Sequence, residues 1–125
     1  VNLVFQSKLA SAHAEIIAIS IAQQKFNNYD LSDFDLELVS SCEPCEMCTG
    51  ALIWSRISGL VYSAEKNDAE EIGFDEGDKS VNWKEGYEKR EIYVRGPILL
   101  ERGRKILLDY ASKGDIYNPG KNKTK

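Results

Sequence analysis

The chain has 125 residues, 42% apolar and 29% charged, with a net charge of −4 at pH 7, which suits one domain around one core and argues against binding nucleic acid over its whole surface. No uninterrupted apolar run approaches the roughly 18 residues of a membrane span, and no basic-then-apolar leader precedes the first element. An odd count of three cysteines, among them the C-x-x-C of Cys45 and Cys48, does not make a secreted disulfide framework, so a reducing cytoplasm is the expected compartment.

In chain order, Val1–Phe5 reads as a strand and residues 8–11 as a polar connection. Ala12–Phe26 reads as a helix without internal Gly or Pro; Ile16, Ile17, Ile19 and Ile21 make it apolar on more than one side, so it is expected to be largely buried. Leu36–Ser40 alternates like a strand, residues 42–44 turn, and Cys45–Arg56 forms a second helix with Met47, Ala51, Leu52 and Trp54 as packing residues. A short strand Leu60–Tyr62 and a helix Ala64–Ile72 closing at Gly73 follow, then a charged loop or lid over Asp75–Lys89 in which Trp83 and Tyr87 are embedded. Glu91–Arg95 is a strand, Gly96-Pro97 a turn, and Ile98–Tyr110 an amphipathic helix with Ile106, Leu107 and Tyr110 on one face. This makes a domain over residues 1–115 and a tail over 116–125 with little to pack. Strands alternating with helices, without internal repeats, indicate a three-layer α/β domain.

The chemistry concentrates in His13-Ala14-Glu15 and Pro44-Cys45-Glu46-Met47-Cys48. Cys45 and Cys48 lie three apart at a helix start, so both sulfurs can face one point, and the positive helix end favours thiolates. His13, opening the other helix, supplies a nitrogen from the opposite side. Three protein ligands leave a tetrahedral zinc one position for water, the catalytic rather than the structural count. Zinc lowers that water's pKa from about 15.7 towards roughly 7, and Glu15 stands near to shuttle its proton. H-x-E followed by P-C-x-x-C is the established signature of zinc deaminases, and this chain matches it literally.

Blander readings exist for the same residues. A lone C-x-x-C can be a redox pair, although no redox-type flanking sequence accompanies it. Cys42 could join His13, Cys45 and Cys48 in a closed Cys₃His structural site, although it precedes the turn at Pro44. Cys42 is most simply a small buried residue, and a solitary His13 would more often be a core histidine.

With these motifs in place, the chain resembles the cytidine deaminase-like superfamily, and within it the bacterial guanine deaminase branch, from Asn2 to about Glu76. Residues 48–56 (CTGALIWSR) and 64–76 (AEKNDAEEIGFDE) carry the resemblance to that branch. It implies a three-layer α/β/α fold with a mixed sheet of about five strands, a zinc cofactor, and a homodimer. It also implies that Glu76, with Asp75 the alternative, reaches the substrate, and that Asn2, eleven residues before His13, hydrogen-bonds the base. Ala14 and Trp54 are implied to line the base pocket. The implied reaction is hydrolytic deamination of a free purine base, guanine plus water giving xanthine and ammonia.

The family carries a helix and a β-hairpin before the position of Asn2, so the native protein is expected to be longer at its N-terminus. In some relatives the C-terminal segment crosses to a partner subunit, a role open here to Tyr117. The enzymatic alternatives are tRNA adenosine, cytosine, a nucleoside or an aminotriazine. Against tRNA stand the acidic balance and the absence of a basic helix; Lys113, Lys121, Lys123 and Lys125 make only a short basic tail. The alternative from another class is a non-catalytic zinc module closed by Cys42.

Overall fold

The structure, a computed structural model, describes residues 1–119; the lysines at 121, 123 and 125 lie outside the described residues. The elements in order are helix α1 (Val4–Ser7), α2 (Ala14–Lys25), strand β1 (Glu37–Cys42), α3 (Glu46–Ser55), β2 (Gly59–Ala64), α4 (Lys66–Glu71), α5 (Trp83–Lys89), β3 (Tyr93–Arg95) and α6 (Leu100–Lys113). The strands form one sheet in the order β1-β2-β3. Both pairings are parallel, with Leu38 opposite Leu60 and Leu60 opposite Val94. Among the described residues the sheet therefore has three parallel strands, where a mixed sheet of about five was expected. Parallel neighbours require a crossover connection, and α3 supplies the one between β1 and β2.

Alternation along the strands sorts side chains into layers. Leu38, Leu60 and Tyr62 join Ile19 of α2, Leu52 of α3 and Trp83 and Tyr87 of α5 in one buried cluster. On the other face Ser63 meets α6, where a Cβ on Gly103 would collide with the Ser63 side chain and the backbone of Ala64, so the glycine lets helix and sheet approach. Helices thus cover both faces, as three layers require. Beyond α6 that second face opens to solvent, and Val39 is 71% exposed.

Several expectations are corrected. Residues Val1–Phe5 do not form a strand: the Asn2 Oδ1 accepts the Val4 N–H at 3.0 Å, a local bond that starts a helical turn over Val4–Ser7. Helix α2 is not largely buried. Only Ile19 is, and Ile21 is exposed, because just the stripe facing α3 and β1 is covered. On α3, Leu52 packs as expected, but Met47 and Trp54 point outward. The Ala64–Ile72 helix starts later, at Lys66, because β2 runs on to Ala64.

The stretch expected as loop contains α5. Trp83 and Tyr87, four apart, share a face, pack edge-to-face with ring centroids 5.2 Å apart, and are both buried. Tertiary burial thereby sustains a helix of seven residues that propensity alone would not hold. The start of the tail also packs. Asn118 is buried, donates to the Gly73 carbonyl at 2.6 Å and accepts the Asp75 N–H at 2.9 Å.

Candidate metal centre

The metal motif sits at the carboxyl end of β1, where parallel sheets place their ligands. After Cys42 the chain turns, and Cys45 takes extended dihedrals (φ −68°, ψ 176°) as the N-cap of α3. Cys48 then falls in that helix's first turn. His13 is likewise the N-cap of α2, with φ −67° and ψ 155°, so it precedes the first turn rather than lying within it; Glu15 does lie there. Two helix N-termini therefore converge on one point, and their partial positive charge favours anionic ligands.

His13 Nδ1 lies 3.5 Å from Cys45 Sγ and 3.6 Å from Cys48 Sγ, and the three donor atoms lie within 4.8 Å of one another. Zinc bonds of about 2.0–2.1 Å to nitrogen and about 2.3 Å to sulfur, at tetrahedral angles, separate N from S by about 3.6 Å. The donor set and its spacing fit zinc. Cys42 stands outside the group; its thiol donates to the Glu65 carbonyl at 3.8 Å, and burial pushes its pKa up to about 12. The closed Cys₃His arrangement is not formed.

Of the three donors, only Cys45 is shifted toward the form that binds metal. A hydrogen bond from Cys48 pulls Cys45 down to about 4, helped by His13. Cys48 keeps its proton, raised first by that same hydrogen bond, then by burial and by the Glu15 carboxylate, which also reaches it by a hydrogen bond. His13 is raised first by its hydrogen bond to Cys45, against the effect of burial. Ligands must be deprotonated to bind metal, so the Cys48 proton is one that binding would release.

The group opens into a cleft of about 680 Å³ lined by Asn2, His13, Ala14, Glu15, Asp75, Glu76 and Tyr117, among others, within the usual range for small-molecule sites. Glu76 is buried, and its pKa is pushed up to about 7 by burial first and the Cys45 thiolate second, with Lys79 opposing. Asp75 Oδ1 accepts the Gly77 N–H at 3.0 Å. Trp54 is the exception: it is 85% exposed and is not among the lining residues. The face of Ile106, Leu107 and Tyr110, legible as amphipathic, forms part of the wall. Sequence reading missed Lys79 and Asn118. Each is a single polar residue in a polar stretch, whose role is set by contacts 35 to 45 residues away.

Fold and site together define an α/β domain with a His/Cys/Cys centre at the end of a parallel sheet. The family model described as the cytidine and deoxycytidylate deaminase zinc-binding region matches residues 1–64, and the chain belongs to that family. Zinc is the metal of this region, and the three donors fit it. The chain is 45% identical to the guanine deaminase of Bacillus subtilis over 75 residues, 60% of this chain and 47% of that protein. It is 30% identical to the tRNA-specific adenosine deaminase of Rickettsia typhi over 112 residues, 90% of this chain and 72% of that one. A solved structure of guanine deaminase from Nitrosomonas europaea superposes with a TM-score of 0.85 at 43% identity, covering 90% of this chain and 63% of that chain. The chain thus spans about half the length of the Bacillus relative.

Proposed function

We propose that this chain is a zinc-dependent aminohydrolase of a free purine base, converting guanine and water to xanthine and ammonia. The observation that carries the reading is the His13–Cys45–Cys48 triangle, spaced for tetrahedral zinc and open to a cleft that also receives Glu15 and Glu76. His13, Cys45 and Cys48 would hold the metal. Zinc supplies activation of water near neutral pH. Glu15 takes one proton from the water and gives it to the ring nitrogen, then moves the second, from the added hydroxyl, to the departing amine. Glu76, with a pKa of about 7, exchanges a proton readily at neutral pH and either holds a ring N–H or assists the amine. Asn2, Ala14 and Asp75 shape the base-binding wall, together with Ile106, Leu107 and Tyr110 of α6.

The similarity to guanine deaminases supports the purine assignment. The similarity to tRNA-specific adenosine deaminases is the competing argument. The carboxylates of Glu15, Glu46, Asp75, Glu76 and Asp115 around one cleft repel a polyanion and favour a small neutral base. A second copy of the chain is the expected partner, because α3 presents exposed Met47 and Trp54 seven apart with Gly50 between them, whose Cβ position is open. Among the described residues no helix is long and apolar enough to cross a membrane. Two ligand thiols that must stay reduced argue for a cytoplasmic setting. The test is ammonia release by zinc-loaded protein from guanine, adenine, cytosine, a nucleoside, an aminotriazine and a tRNA anticodon stem-loop. Guanine should give the highest kcat/KM; a higher value on the stem-loop, or no release from any base, overturns the assignment.

A further inference from the structure

Behind the ligand turn lies a buried ion pair that the deaminase chemistry does not use. Lys79 Nζ lies 2.6 Å from Glu43 Oε2, with side-chain exposures of 4% and 9%. The same ammonium donates to the carbonyl of Pro44, the residue before ligand Cys45, at 2.5 Å, and sits 4.6 Å from the centre of the Trp83 ring. Glu43 in turn accepts the Lys66 N–H at the start of α4 at 3.2 Å. The backbone leading to Lys79 closes on the same helix end. The Glu76 carbonyl accepts the Glu46 N–H at 3.1 Å, and the Asp78 N–H donates to Glu46 Oε2 at 3.0 Å. Gly77, at φ +77°, makes that wrap possible, since a Cβ there would collide with the Glu46 side chain. One short segment therefore presents Glu76 to the cleft and Lys79 to the ligand turn.

We propose that Lys79 is a positioning residue, fixing the Pro44–Cys45 ligand turn and the Glu76 segment in one arrangement. A lysine desolvated to this degree is costly unless fully paired, and here its ammonium meets a carboxylate, a carbonyl and a ring face. Partners behind metal ligands typically change metal affinity or activity by roughly 10–100-fold when removed. The inference leans on the deaminase reading only for the role of Glu76; its consequence for the metal site is independent of that reading.

The test uses the full chain as wild type, Lys79→Met, and Lys79→Met with Glu43→Gln. Zinc affinity by chelator competition, the visible absorption of the Co²⁺-substituted site, and Tm are measured. Lys79→Met strands the Glu43 charge and should lower both Tm and zinc affinity. The double variant removes both charges, so its Tm should recover, while its zinc affinity stays about 10-fold or more below wild type and its Co²⁺ bands remain shifted. A folded double variant with wild-type affinity and spectrum overturns the proposal, because the pair would then only fill space. Should the double variant not fold, Lys79→Arg keeps the charge opposite Glu43 but not the point contact on Pro44. Its affinity should still fall about 10-fold, and a wild-type value overturns the proposal. Absence of ammonia release from wild type, with the affinity differences intact, rejects the deaminase reading and supports the positioning role.

Discussion

The phenol of Tyr87 donates to the main-chain carbonyl of Thr49 at 2.7 Å, tying α5 to the middle of the helix that carries both cysteines. Tyr87 is fully buried. Thr49 also donates its hydroxyl to the Pro44 carbonyl at 3.3 Å, so the tie reaches the ligand turn. Tyr87→Phe keeps the packing and removes one neutral hydrogen bond. We expect a loss of about 1 kcal/mol, read as a fall in Tm of a few degrees, with zinc content unchanged. A Tm equal to wild type would show that the bond adds nothing net.

Glu15 lies in the first turn of α2 beside His13 and lines the cleft. Glu15→Ala removes the proton shuttle and leaves all three metal donors in place. Turnover should fall by at least about 10²–10⁴-fold, while metal analysis still finds zinc at the wild-type ratio. A fully active variant excludes the mechanism.

Glu76 makes a prediction in which stability and activity move in opposite directions. Burial raises its folded pKa from 4.5 to about 7, so the folded state favours the neutral acid. Stability from this group is fully present below about pH 4.5 and is lost as pH rises through about 7. Glu76→Gln should therefore stabilise the metal-free protein by about 1–3 kcal/mol at pH 8 and leave it nearly unchanged at pH 4.5. The same change should cut guanine turnover strongly. Chemical denaturation at the two pH values measures the first effect, and equal changes at both would discard the burial argument. Unchanged guanine kinetics would remove Glu76 from the chemistry.

Asn118 holds the chain after α6 against the loop that carries Asp75 and Glu76, through the Gly73 carbonyl and the Asp75 N–H. Asn118→Ala leaves both backbone groups without that partner. The Asp75 amide should exchange faster by the equivalent of about 1–3 kcal/mol, and KM for the base should rise because Tyr117 and Pro119 line the cleft. Zinc affinity should not change. Wild-type protection at Asp75 would show that the tail does not steady this loop.

The metal site was legible in the amino-acid order because its signals are local. His13 and Glu15, and likewise Cys45 and Cys48, are placed by helix starts a few residues long, and short-range geometry decides which side chains face one point. Some of the later elements were also readable from periodicity, since β1 and β2 alternate in burial and α6 is amphipathic. What only the tertiary structure decided are contacts between residues of no periodic pattern. Lys79 finds Glu43 and Pro44, Asn118 finds Gly73 and Asp75, and Trp83 with Tyr87 turns a charged stretch into a helix. Trp54 points to solvent, although its composition alone suggested packing. A polar residue's partner thirty or forty positions away leaves no trace in its neighbours' identities, because its energy comes from desolvation and pairing after the chain has closed.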